Sequence, residues 1–271
     1  LNKRKIVIIF PVLALLAIAA WLYARRFERT HLYFPERAYE MTPADLGLPF
    51  REVSFISSDG ETITGWWIPA EKARGALLYC HGNGGNVSTN LQNARVFHEL
   101  SLSVLLFDYR GYGRSSGRPS EEGTYRDGRA AFAHLTGALG VEPGRIVIYG
   151  MSLGGAVAIE LAGEGAAAGL ICESTFTSVR AMARRLYPAL PAKFLVVDKY
   201  DSLGKVGRLG LPKLFLDTLH QGHDIALLAL DALGQGVELG LYSLHAPENA
   251  REVLAGQKRL HAEELGLDAG G

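Results

Sequence analysis

Gly150-Met151-Ser152-Leu153-Gly154 is the stretch of this chain best suited to chemistry, because it joins the β-rich run "RIVIYGM" to the helical pattern "LGGAVAIELA". A serine hydroxyl becomes an effective nucleophile when a sharp strand-to-helix turn exposes its Oγ and the helix N-terminus directs N–H groups at developing negative charge. Such a turn strains the serine backbone, and glycine two residues before and after removes the Cβ groups that would collide there. Ser152 is therefore the candidate nucleophile. The competing reading is a serine that merely caps an ordinary strand-to-helix turn.

A second stretch belongs to the same chemistry. "YCHGNGGN", residues 79 to 86, ends a short apolar run in His-Gly and a glycine-rich loop. Such a loop brings a backbone N–H beside a nucleophile, so the N–H groups of Asn83 and Leu153 are the candidate oxyanion donors. A phosphate-cradling loop would close with Gly-Lys-Ser/Thr, which is missing here. The eight histidines form no HExxH pattern, and the sequence holds no CxxC pair or EF-hand loop. His220 and His223 could share a helix face, but metal chemistry is not expected, and hydrolysis at an activated serine needs no cofactor.

The elements that must position these residues are legible as changes of period. "REVSFISS" and "ETITGWWIP" alternate apolar with polar positions around Asp59-Gly60, which predicts an antiparallel hairpin. "GALLYCHG", "SVLLFDYRG", "RIVIYGMS", "AGLICEST" and "LPKLFLD" are continuous apolar runs, most of them separated by helical segments. Buried strands alternating with helices predict an α/β fold with a mostly parallel central sheet covered on both faces. Ligands in such sheets bind beyond the carboxyl ends of the strands, where His81, Asp108, Ser152 and Glu173 fall. Ser120 is the expected N-cap of "EEGTYRDGRAAFAHLTGAL", with Glu121 and Glu122 in its first turn. The length of 271 residues suits one globular domain. Zero formal net charge, 21% charged residues and the lack of a basic stripe give no reason to expect nucleic acid.

The first residues differ from the rest. Behind a basic flank at residues 1–5, residues 6–24, "IVIIFPVLALLAIAAWLYA", carry no charge and would extend about 28 Å as a helix at roughly 1.5 Å per residue. That predicts a single-pass membrane anchor with Trp21 and Tyr23 near one interface. A cleaved signal peptide, with Ala17-Ile18-Ala19 as the cleavage site, is the alternative. Arg25, Arg26 and Arg29 balance Lys3, Arg4 and Lys5, so orientation stays open. Residues 25–49 read as a linker that packs onto the edge of a domain spanning 50–271.

"LYFPE", "ITGWWIPA", "LLYCHGNGGNVS", "VLLFDYRGYGRSSGRPSEEGTYRD", "IVIYGMSLGGAVAIELA" and "CESTFTS" occur in this order between about residues 31 and 216. This run resembles the α/β-hydrolases, and within them the membrane-anchored Bem46-like hydrolases related to the serine aminopeptidase S33 group. The resemblance implies the α/β-hydrolase fold and a Ser-Asp-His triad, with the acid after the next-to-last strand and the histidine after the last. It also implies a cap over the site, here a short one at about residues 175–210.

The resemblance departs after "LPKLFL". Relatives continue with an H-G-x-x-D-x-x-V-P pattern and a later G-x-G-H-x-D pattern, whereas residues 217–254 read "DTLHQGHDIALLALDALGQGVELGLYSLHAPENAREVL". Asp224 is the best match for the acid, with Asp217 and Glu173 as alternatives. His245, after the apolar "LGLYSL", is the candidate base, while His261 falls in an expected terminal helix. If Asp224 and His245 do not assemble beside Ser152, the chain is a catalytically inactive, membrane-tethered binding module with a rewired or frame-shifted tail.

In the fold that the resemblance implies, Cys80 and Cys172 lie on strands that flank a third, nearly 10 Å apart at about 4.8 Å per strand, beyond disulfide reach, so two free buried thiols are expected. Asn86-Val87-Ser88 is a glycosylation sequon inside the glycine-rich loop and is expected to stay unused. In the cap, Phe176, Met182, Leu186, Tyr187 and Phe194 stand beside Arg180, Arg184 and Arg185. That mixture suits a small-molecule or lipid-like acyl ester or thioester, with peptides and amides left open. Oligomeric state is not set by the sequence.

Overall fold

The structure, a computed structural model, describes residues 3–165, 167–188 and 196–216, together with the short backbone pairing of 225–226 with 241–242. Seven strands form the central sheet: β1 (Arg51–Ile56), β2 (Thr62–Ile68), β3 (Gly75–Cys80), β4 (Leu102–Phe107), β5 (Ile146–Met151), β6 (Gly169–Glu173) and β7 (Lys213–Leu216). Their order across the sheet is β1-β2-β4-β3-β5-β6-β7. The β1–β2 and β2–β4 pairs are antiparallel, and every other pair is parallel. The hairpin turns at Asp59-Gly60, where Gly60 takes φ +90°, a conformation that costs glycine little.

The continuous apolar runs become β3 to β6 because both sheet faces are covered. Alternate residues divide between two cores. Leu78, Cys80, Phe107 and Ile148 face α3 (Glu121–Gly137) and α4 (Leu153–Ala162), whereas Leu77, Tyr79, Leu106 and Tyr149 face α2 (Leu91–Glu99). Ser120 caps α3 by accepting the Gly123 N–H at 3.2 Å. Arg110, just beyond β4, ties the hairpin turn to α3: it donates to Asp59 at 2.7 Å and to Asp127 at 2.8 Å. Cys80 and Cys172 both lie in register with Gly150 between them, and both are free and buried, as expected.

Helix α1 runs Lys3–Leu32, past the end of the uncharged run. Arg25, Arg26, Glu28 and Arg29 sit in its second half, and among the described residues no helix is long and apolar enough to cross a membrane. The span expected over residues 6–24 is thus unsupported by the structure, and the start of the expected linker is helical instead. Charged residues extend this helix because they find partners on the domain. The Glu28 carboxylate accepts the N–H groups of Val197 and Asp198, each at 2.8 Å. Arg25 reaches Asp198 at 3.3 Å, and the Tyr33 hydroxyl donates to the same carboxylate at 2.8 Å. From the other side, the Glu121 carboxylate accepts the N–H groups of Lys199 and Tyr200. Residues 197–200, which follow the cap helix α5 (Val179–Leu186) and precede α6 (Ser202–Val206), are thereby held between α1 and α3.

Candidate active site

The candidate nucleophile sits at the junction of β5 and α4 with φ +52° and ψ −114°. This is a strained conformation for a residue with a Cβ, and the surroundings over-determine it. The Ser152 N–H donates to the Glu173 carbonyl at 2.8 Å, and the Ser152 carbonyl accepts from Gly155 N–H at 3.0 Å and from the Thr175 hydroxyl at 2.9 Å. Glycine is required on both sides: a Cβ on Gly150 would meet the Gly154 carbonyl oxygen, and one on Gly154 would meet the Cys80 carbonyl oxygen. Close passage of β5 by α4, and of α4 by the end of β3, is what leaves the serine at the tip.

The glycine-rich loop arrives where the sequence places it. A Cβ on Gly82 would stand 3.8 Å from the Ser152 Cβ and 3.6 Å from the Met151 Cε, so the loop backbone passes against the nucleophile. Asn83 is fixed through groups other than its N–H. Its carbonyl accepts from Phe34 N–H at 2.9 Å and from the Tyr112 hydroxyl at 2.8 Å, and its side-chain amide donates to the Leu32 carbonyl at 3.1 Å. Phe34–Pro35 pairs in parallel with Gly84–Gly85, so the chain leaving α1 buttresses this loop. Leu153 supplies the first amide of α4, which has no carbonyl one turn back to receive it.

His81 adds a positioning group that the sequence signalled only as the first half of His-Gly. Its Nδ1 lies 2.7 Å from the Gly82 carbonyl oxygen. That carbonyl shares a trans peptide with the Asn83 N–H, so holding one aims the other in the opposite direction. The imidazole is fully buried, and burial pushes it down to about 4, which keeps it neutral at pH 7. Its single proton is assigned to Nδ1 by this hydrogen bond. Nε2 has no hydrogen-bond partner among the described residues and lies 3.9 Å from an Asp108 carboxylate oxygen.

Asp108 orders loops. It accepts Val87 N–H at 2.9 Å and the Tyr39 hydroxyl at 2.8 Å, and burial pushes its carboxyl up to about 6. The Glu173 carboxylate, an alternative acid, accepts a hydrogen bond from the Tyr149 hydroxyl within the sheet, while its backbone carbonyl holds Ser152. Asn86 is fully buried and donates its side-chain amide to the carbonyls of Glu36 and Ala38, so the sequon has no exposed amide to modify. Asp217, Asp224, His220, His223, His245 and His261 lie outside the described residues. An apolar cavity of about 100 Å³ opens between α1 and the cap, lined by Phe27, Leu32, Val179, Met182, Leu186 and Val196 among others.

The comparisons with known proteins agree with this geometry. The family model for serine aminopeptidase S33 matches residues 71–203. The uncharacterized protein Rv2307c of Mycobacterium tuberculosis is 37% identical over 219 residues, covering 80% of this chain and 78% of that protein. Protein bem46 of Schizosaccharomyces pombe is 33% identical over 207 residues, covering 70% of this chain and 69% of its own. Among solved structures, an α/β-hydrolase from Vibrio vulnificus superposes with a TM-score of 0.63 at 25% identity, over 71% of this chain and 75% of that one. The strand order, the strained serine between glycines and these relatives lead to one conclusion: the chain belongs to the Bem46-like α/β-hydrolases.

Proposed function

We propose that the chain is a serine hydrolase, held at a membrane by α1, that cleaves an acyl ester or thioester through an acyl-enzyme intermediate. The observation that carries this reading is Ser152, kept in a strained turn with the Gly82 backbone packed against it. Strain of roughly 1–3 kcal/mol persists where a function uses it. In the reaction, His245 takes the Ser152 proton as Oγ attacks the acyl carbonyl, and the N–H groups of Asn83 and Leu153 receive the oxyanion. The tetrahedral intermediate collapses as His245 passes that proton to the leaving oxygen or sulfur. Water then repeats the steps to free the acid. Asp224 holds the imidazole tautomer, with Asp217 next in line for that role.

Assignment of the base to the tail is supported by the histidines elsewhere. His31 stacks on Phe27, His98 contacts the Pro69 carbonyl, His134 stacks on Phe55, and His81 is spent on Gly82. The mostly apolar cavity between α1 and the cap suits an acyl chain. Exposed Leu13, Leu15, Ile18 and Trp21 on α1 favour a membrane location. A fluorophosphonate probe tests the nucleophile, and a series of p-nitrophenyl esters of rising chain length tests the substrate class. Labelling at Ser152 with a preference for longer acyl chains is expected. A full-length, folded chain that stays unlabelled is the inactive binding module instead.

His81 supplies a separate expectation. His81→Leu should lower kcat for ester hydrolysis roughly 100-fold with KM little changed, because a misaimed Asn83 N–H fails mainly in the transition state. His81→Asn, whose side-chain N–H can still reach the Gly82 carbonyl, should recover most of that loss. Equal damage in both variants would assign His81 a packing role only.

A further inference from the structure

Beside α1, a recess of about 400 Å³ is lined by Trp21, Leu22, Arg25, Arg26, Arg29, Thr30 and Arg118. Four arginines line it and, among the described residues, no Asp or Glu does. Arg25 is engaged by Asp198 at 3.3 Å and Glu28 at 3.6 Å. Arg26, Arg29 and Arg118 have no acidic partner among the described residues, unlike Arg126 and Arg129, which close on Glu122 and on Glu160 with Glu164. Arg118 comes from the loop between β4 and α3, so the fold itself, and not merely one helix turn, brings the fourth cation to the recess.

From this placement we propose that the recess binds the phosphate of an anionic phospholipid headgroup. Guanidinium forks match phosphate oxygens in pairs, and a bound anion would relieve the mutual repulsion of like charges that meet no carboxylate among the described residues. The lipid source follows from the other lining residues. Trp21 and Leu22 are more than half exposed and continue the exposed apolar side chains of Leu15 and Ile18, so the cations begin where the uncharged run ends. Basic residues in that position meet the surface of an anionic leaflet, and an indole beside them suits the headgroup level. The proposal rests on the membrane reading of α1 and is independent of the catalytic one.

The full-length chain is mixed with vesicles of phosphatidylcholine, alone or with phosphatidylglycerol, and lipid retention is measured by native mass spectrometry in a neutral detergent. Phosphatidylglycerol should be retained at least tenfold over phosphatidylcholine. Arg26→Gln, Arg29→Gln and Arg118→Gln together should weaken its retention about 100-fold, on the basis of about fivefold per arginine, whereas Arg114→Gln, exposed outside the recess, should not. Equal retention of the two lipids, or an unaffected triple variant, overturns the recess while flotation with both vesicles leaves the membrane reading standing. Flotation with neither vesicle overturns the membrane reading and the headgroup site with it. Displacement of phosphatidylglycerol by an equal concentration of inorganic phosphate overturns the lipid source.

Discussion

Ser152→Ala should lower acyl-ester turnover by a factor on the order of 10⁶, the scale seen when the nucleophile of a serine triad is deleted, while the chain keeps its fold. The substitution retains the Cβ and hence the strained turn, and it removes only an Oγ. Ser152→Gly separates the two properties. At φ +52° a glycine relieves strain, so this variant should be equally inactive and more stable by about 1 kcal/mol. Steady-state hydrolysis and urea unfolding on the three proteins check both halves. Turnover surviving in either variant would remove Ser152 from the mechanism, and an unchanged unfolding midpoint in the glycine variant would show that the turn is not strained.

Gly154→Ala should destabilise the fold severely, by about 3 kcal/mol or more. Its Cβ would meet the carbonyl of Cys80 and stand 2.5 Å from the His81 carbonyl oxygen. Both are backbone atoms at the end of β3, so no side chain can swing aside. Relief requires α4 to move away from the sheet or the glycine-rich loop to move away from Ser152. Gly137→Ala, where a Cβ meets nothing within 4 Å near the end of α3, is the control and should be neutral or slightly stabilising. Chemical denaturation of both variants measures the difference, and a Gly154→Ala protein of wild-type stability would show that α4 and β3 are not in close contact.

Much of the scaffold was legible because its signals are local. The strand runs are continuous and β-rich, α3 starts at a recognisable cap in Ser120, and the glycines of the turn are demanded within five residues. The end of α1 was not legible, because an apolar run stops at Ala24 whereas helix formation does not. Arg25, Glu28 and Arg29 are good helix formers, and what fixes Arg25 and Glu28 is a set of partners about 170 residues away. The same holds for His81, whose role depends on which carbonyl its Nδ1 reaches, and for Asp108, whose hydrogen-bond donors come from Val87 and Tyr39. Acid and base in the tail rest on motif fragments alone, since Asp224 and His245 lie outside the described residues.

The grip of Glu28, Arg25 and Tyr33 on residues 197–200 bears on how this chain can be cut apart. A truncation that discards everything before Thr30 would remove the carboxylate that receives two backbone N–H groups at 2.8 Å and strip the packing above the Phe34–Asn83 contact. There is no clean seam between leader and body. What looks in sequence like a detachable stem is a keystone, and a soluble version of this protein must keep Arg25 to Leu32 while replacing only the apolar residues before them.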